Sequence, residues 1–188
     1  MSIKELTKLS NGKDLDIEYP IRLYNKDGKE VYFETEDEYW HKREYDQDGK
    51  ETYFEGPDGY WYKRVYNQDG KETYFEGSNG YWRKHEYKEG KETYFEDSYG
   101  YWRKREYKDG KQTYFENSNG YRWKSEYKDG KLLYYKTSTG YWWEYEYDGG
   151  KEVYFEDSNG RISDNREPLD MTMEEVCKMA GKKVRIVE

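Results

Sequence analysis

Apolar aliphatic residues are scarce in this chain: 188 residues contain five Ile, seven Leu, six Val and a single Ala. No two-layer core of the usual kind can be built from so few. No apolar run approaches the ~20 residues of a membrane-spanning helix, and the opening MSIKELTKLSNGKD is too polar for a secretory leader. The single cysteine, Cys177, has no partner for an internal disulfide, which fits a reducing compartment, so a cytoplasmic protein is expected. The three prolines leave long stretches free to form continuous hydrogen-bonded structure.

Aromatics and charge are abundant: 25 Tyr, seven Trp and six Phe, in a chain that is 39% charged. That many rings exclude an ordinary disordered segment. The net charge of -8 favours solubility or a basic partner and opposes broad binding to phosphate backbones.

A glycine stands at every tenth position from Gly80 to Gly160. In register the chain reads YWRKHEYKEG KETYFEDSYG, then YWRKREYKDG KQTYFENSNG, then YRWKSEYKDG KLLYYKTSTG, then YWWEYEYDGG KEVYFEDSNG. The period is 20, in two halves of ten. Asn79-Gly80, Asn119-Gly120 and Asn159-Gly160 read as two-residue type I′ turns, as do Asp109-Gly110 and Asp129-Gly130. Earlier, Gly28, Glu38, Gly49, Gly59, Gly70 and Gly80 stand 10 or 11 apart, and the longer steps, with DQDG and NQDG, fit three-residue loops closed by a left-handed glycine.

These spacings predict an all-β protein: an up-and-down antiparallel meander of about fourteen strands between Ile21 and Ser158, forming one extended, twisted single-layer sheet with a short C-terminal helix-strand cap. The division is a degenerate start at 1–20, the hairpin array at 21–160 and the cap at 161–188. In the cap Thr172 and Glu175 fit a capping box, Met171 and Val176 a hydrophobic staple, and Met173, Val176, Cys177 and Ala180 one apolar stripe. Gly181 suits the helix end, and Val184 and Ile186 alternate as a short strand.

With two-residue turns at both ends, pairing arithmetic places Phe75, Lys84, Phe95 and Lys104 in one row. The other face then carries Glu76, Arg83, Glu96 and Arg103 in one row, and Tyr74, His85, Tyr94 and Arg105 in the next. Opposite charges across a sheet contribute roughly 0.2 to 1 kcal/mol per pair, so both faces satisfy themselves in water.

His41 and His85 replace arginine in the repeat and read as ladder members. No Cys/His metal cluster, phosphate loop or serine-histidine-acid set can be assembled from the sequence. DQDG and NQDG lack the 12-residue calcium-loop pattern. The expectation is a protein that is not an enzyme, with no cofactor and no metal.

The repeat breaks in one place. Residues 121–124 read YRWK where neighbours read YWRK, KLLYYK replaces KETYFE, and YWWEYEY follows. On the pairing arithmetic Lys136 falls between Trp123 and Trp143, and Tyr134 between Ser125 and Tyr145. Trp123, Tyr134, Lys136, Trp143 and Tyr145 form a candidate partner-binding patch, flanked by Arg103 and Arg105, since Trp, Tyr and Arg dominate binding hot spots. Burial of these rings against the C-terminal cap is the alternative reading.

The unit YxxxGKETYFEDSNGYW, over roughly residues 20–160, resembles tandem aromatic and glycine β-hairpin repeats of bacterial and phage proteins, loosely similar to YD (Rhs-type) and YwqK/MORN-like repeats. The ending TMEEVCKMAGKKVRIVE looks like endings of phage-type proteins. The resemblance implies a mobile-element product, an inhibitor of host defence of the anti-CRISPR kind that docks on a nucleic-acid-handling effector. Direct RNA contact is opposed by the net charge; a carboxylate mimic of phosphates is another form of the same idea. A spacer or assembly repeat without a dedicated site, and a surface repeat like choline- or glucan-binding hairpins, are the competing readings. A monomer or an edge- or face-paired dimer is expected, with no membrane partner.

Overall fold

The computed structural model describes residues 18–166. It is all-β, one sheet of fifteen antiparallel strands whose spatial order follows the chain. The strands are β1 Ile21–Tyr24, β2 Glu30–Glu34, β3 Trp40–Tyr45, β4 Glu51–Glu55, β5 Trp61–Tyr66, β6 Glu72–Gly77, β7 Trp82–Lys88 and β8 Lys91–Asp97. They continue as β9 Trp102–Lys108, β10 Lys111–Asn117, β11 Arg122–Lys128, β12 Lys131–Thr137, β13 Trp142–Asp148, β14 Lys151–Asp157 and β15 Ile162–Asp164. The short β15, beyond the fourteen that the spacing predicts, pairs with β14 through Glu156 opposite Ile162. Of the start predicted at 1–20 and the helix-strand cap predicted at 161–188, residues 1–17 and 167–188 lie outside the described residues, within which no helix is long and apolar enough to cross a membrane. The chain divides into two compact units, Met1–Trp123 and Lys124–Glu188.

Apart from the 3-10 turn at Pro57–Gly59, where Asp58 and Gly59 are both at positive φ inside a three-residue loop, the turns divide into two kinds. Glu89-Gly90, Asp109-Gly110, Asp129-Gly130 and Gly149-Gly150 have both residues at positive φ, the type I′ pattern expected at the Asp-Gly pairs. The Asn-Gly sites differ from the expectation. Gly80 is left-handed at φ 80 whereas Asn79 is not, and the Gly77 N–H donates to the Tyr81 carbonyl at 2.9 Å, enclosing three residues rather than two.

The reason lies in the residue that opens each loop. Asp97 Oδ1 accepts from the Tyr99 and Tyr101 N–H groups at 3.0 and 3.2 Å, and Asn117 Oδ1 from those of Asn119 and Tyr121 at 3.1 and 3.3 Å. An Asp or Asn in that place folds the loop around its own side chain. Gly77 has no side chain, and Asn79 Oδ1 takes over, accepting from Tyr81 N at 3.0 Å. Glu38 fills the left-handed slot at φ 68, confirming that the 35–39 loop is of the same kind without its glycine.

The extra loop residue is offset by a one-residue bulge near the opposite margin of the sheet. Glu86 pairs with Tyr94 and Tyr87 with Glu92, leaving Thr93 over; Thr113 between β9 and β10 and Thr73 between β5 and β6 are bypassed alike. Each bulged threonine donates its hydroxyl across the pair, Thr73 to the Val65 carbonyl at 3.2 Å and Thr93 to that of Glu86 at 3.3 Å.

Loop and bulge together correct the predicted rows. Phe75 lies opposite Arg83 instead of Lys84, and Phe95 lies opposite both His85 and Arg103. Tyr74 and Tyr94 pair with Lys84 and Lys104 in turn. A slip of one residue turns every side chain to the other face, so the true faces are Phe with Arg and His, and Tyr with Lys and Trp.

Hairpins are also strapped to their neighbours. Lys91 Nζ donates to the Gly110 carbonyl and lies 5.0 Å from the Tyr107 ring centre. Lys50 reaches Gly70 and Tyr66 in the same way, and Lys131 reaches Gly150 and Tyr147. Such ties between adjacent repeats are the nearest-neighbour terms that hold an array together without a central core.

Candidate interaction surface

In the N-terminal unit the Phe/Arg face is an ion and ring lattice closed on itself. Glu92 is its fullest node, accepting from Arg103 Nε at 2.8 Å and Nη2 at 3.1 Å and from Arg105 Nη1 at 2.5 Å, with His85 Nδ1 at 3.0 Å. Burial pushes the Glu92 carboxyl up, but hydrogen bonds from Arg103 and His85 outweigh it and hold the group below the ordinary carboxylate range. Glu72 holds Arg83 at 2.7 Å, and Glu51 takes the Tyr62 hydroxyl. The Arg103 and Arg83 guanidinium carbons lie 4.4 and 4.8 Å from the Phe95 and Phe75 ring centres. Arg103 and Arg105, predicted to meet a partner, are thus committed to the same internal carboxylate. His41 is another lattice member, buried between Phe33 and Phe54 with Nε2 at 2.9 Å from Glu30.

The lattice stops where the repeat breaks. Gln112 occupies the place of Glu92, and its amide donates to the Tyr114 carbonyl at 3.2 Å. Trp123 stands in the place of Arg103 and stacks on Phe115, ring centres 6.3 Å apart with planes 16° apart.

In the C-terminal unit Leu132 takes the glutamate position in the sequence, and Trp143 and Tyr145 take those of the two arginines. Trp143 lies directly opposite Tyr135, and their rings stack at 4.1 Å with planes 19° apart. Tyr141 meets Trp143 edge-on at 6.4 Å and stays 47% exposed. Tyr145 lies opposite Phe155, 5.1 Å between ring centres, and burial raises its phenol pKa, with Glu152 adding to the effect. On the β14 side Trp143 faces Asp157, a buried carboxylate gripped by Arg161 at 2.5 Å.

Two predicted members of the patch fall elsewhere. Lys136 pairs with Trp142 and Tyr134 with Glu144, which sets both on the face opposite Trp143 and Tyr145. Tyr134 and Glu144, together with Glu126, Glu146, Tyr145 and Tyr147, line a surface groove of about 810 Å³. Beside Trp143 the expected lysine is therefore replaced by a tyrosine, Tyr135, because the loop that joins β12 to β13 has three residues rather than two. The signal in the sequence is the Asp, Asn or Thr that opens the longer loops other than those at Gly56 and Gly77.

No protein-family model matches the chain, and no curated protein matches it. Among solved structures the chain is similar to the Photorhabdus luminescens Tc holotoxin pore, at 13% identity over 76% of this chain and a TM-score of 0.43. It is likewise similar to the TcdB2-TccC3-Cdc42 complex, at 12% identity over 76% of this chain and a TM-score of 0.42. This chain spans 9% of the length of each of those chains.

Proposed function

We propose that the protein is a non-enzymatic binding module that docks on a protein partner through the Trp143, Tyr135, Tyr141 and Tyr145 face of its C-terminal unit. One observation carries the reading: Trp143 and Tyr145 stand where β9 has Arg103 and Arg105 clamped on Glu92, so ring contacts to Tyr135 and Phe155 take the place of that clamp, whereas Tyr62, a ring stacked in the same row of the N-terminal unit, is tied by its hydroxyl to Glu51. A lattice needs no such change for stability, since the charged version already satisfies itself. Half-buried Trp and Tyr held rigid by stacking supply contact area at low entropic cost, the property that concentrates binding energy in a few residues. In its narrower form the partner is a basic, nucleic-acid-handling effector of host defence and the module is its inhibitor in the host cytoplasm. The net charge of -8 supports that form, since it complements a basic surface and opposes RNA. The competing reading, a spacer array without a site, treats this hairpin as interchangeable with the rest.

Trp142 and Trp143 are adjacent on β13 and point to opposite faces. Trp143→Ala is expected to abolish capture of the partner from host lysate while Trp142→Ala preserves it, with circular dichroism confirming the fold of both. Equal capture by the two variants rejects the surface, and replacement of this hairpin by a copy of 81–100 without loss of activity favours the spacer.

A further inference from the structure

A second surface lies within the N-terminal unit, along one margin of the sheet. On the margin closed by the loops 36–38, 57–59 and 78–80 the residue after each loop is a tyrosine, and it takes the same pose each time, edge toward the phenylalanine of its own hairpin; the three-residue loops of the opposite margin are followed by Lys29, Lys50 and Lys71. Tyr39 meets Phe33 at 6.3 Å and 64°, Tyr60 meets Phe54 at 6.0 Å and 63°, and Tyr81 meets Phe75 at 6.1 Å and 51°. Identical poses on successive hairpins make a row whose step is two strand spacings, about 9.6 Å. Tyr39 is 49% exposed and Tyr60 54%, large fractions for rings fixed by packing. Past Tyr81 the pose recurs at Tyr101, 6.0 Å and 55° from Phe95, with the Tyr99 ring standing 5.6 Å from Tyr81.

We propose that the Tyr39, Tyr60 and Tyr81 margin binds a proline-rich peptide in the polyproline II conformation, with a basic residue at the end nearest Tyr39. A polyproline II helix repeats every three residues at ~3.1 Å each, about 9.3 Å per turn. Step and repeat differ by about 0.3 Å, so two intervals accumulate a mismatch of roughly 0.6 Å, small enough for side chains to absorb. One prolyl ring per turn would lie against each tyrosine, the way aromatic grooves take such segments without an ordering cost.

Charge selects the peptide over other extended ligands. Glu36, Asp37 and Asp58 are exposed in the loops beside Tyr39 and Tyr60, whereas the loops before Tyr81 and Tyr101 carry Ser78, Asn79, Ser98 and Tyr99 in their place. These carboxylates repel single-stranded nucleic acid and offer a neutral glucan only hydrogen bonds that carry no charge complementarity, whereas they attract the lysine or arginine that flanks a proline-rich segment.

The test is fluorescence anisotropy of the full-length protein with a labelled peptide, an arginine followed by four Pro-Pro-Ala triplets. Binding is expected, together with about a ten-fold loss in Tyr60→Ala and retention within about three-fold in Tyr60→Phe. An Asp37→Asn, Asp58→Asn double variant, which leaves the ring packing intact, should weaken binding several-fold and flatten its salt dependence. A peptide of the same length, with the same leading arginine but proline only at every fourth residue and alanine elsewhere, should bind at least ten-fold more weakly. No binding, indifference to the charge variant, equal binding of the respaced peptide, or binding of cellohexaose instead would each overturn the assignment.

Discussion

Replacing Glu92 by Gln removes one charge from the best-connected node of the lattice while keeping its shape. The carboxylate receives four contacts between 2.5 and 3.1 Å, from Arg103, Arg105 and His85. A hydrogen bond to a charged group contributes about 1.5 to 3 kcal/mol, and such bonds at a single acceptor are not additive. Removing one member of a fully buried ion pair costs roughly 3 to 5 kcal/mol. Here Glu92 is 16% exposed and its arginine partners 25% and 26%, so water and the surviving amide oxygen reduce that figure. We expect a loss of about 2 kcal/mol at neutral pH, or about 4 to 8 °C in Tm.

The acid limb makes the result specific. Glu92 is held below its ordinary value of 4.5, so the folded state binds its proton less readily than the unfolded state does. Its contribution is fully present above about pH 4.5 and is lost as the pH falls through the depressed value. Urea titrations from neutral pH downward should show the parent and Glu92→Gln curves converging below pH 4.5, with hydrogen exchange locating the change at β8 and β9. A loss under about 0.5 kcal/mol, or an acid limb equally steep in both proteins, would refute the lattice argument. The chain already contains a comparison: where Gln112 replaces this glutamate, the next hairpin carries Trp123 and Ser125 in place of two basic residues.

Two further outcomes follow from local geometry. Glu38 sits at φ 68, where side chains other than glycine are strained by about 1 to 2 kcal/mol, so Glu38→Gly should stabilise the protein by about 0.5 to 1 kcal/mol after the added freedom of the unfolded chain is counted; destabilisation in urea would contradict the loop assignment. The Tyr62 phenol, half-buried and donating to the Glu51 carboxylate, is pushed up to about 12 from 10.0 by desolvation first and by that carboxylate second. Its contribution therefore holds below pH 10 and is lost as the pH rises toward 12, and in Glu51→Gln an ultraviolet phenolate titration should find this group closer to 10.

Architecture was legible in the sequence because it depends on period. Glycine spacing, positive-φ dipeptides and the lack of aliphatic residues are local facts, and together they determine an antiparallel meander without a core, down to the three-residue loops at DQDG and NQDG. The break in the ladder was also visible, since Trp123, Leu132, Trp143 and Tyr145 depart from their repeat positions whatever the fold does.

Only the tertiary structure decided which residues share a face. A loop of three residues instead of two and a bulged threonine each shift pairing by one, and in a sheet one residue is the difference between two surfaces. That parity moved Lys136 and Tyr134 away from Trp143, brought Tyr135 beside it, and turned Arg103 and Arg105 into a clamp on Glu92. Dipeptide propensity at Asn-Gly favours the tighter turn. The side chain that opens the loop, hydrogen-bonded to N–H groups two and four residues on, prevails over it, and this competition is settled by geometry and not by composition.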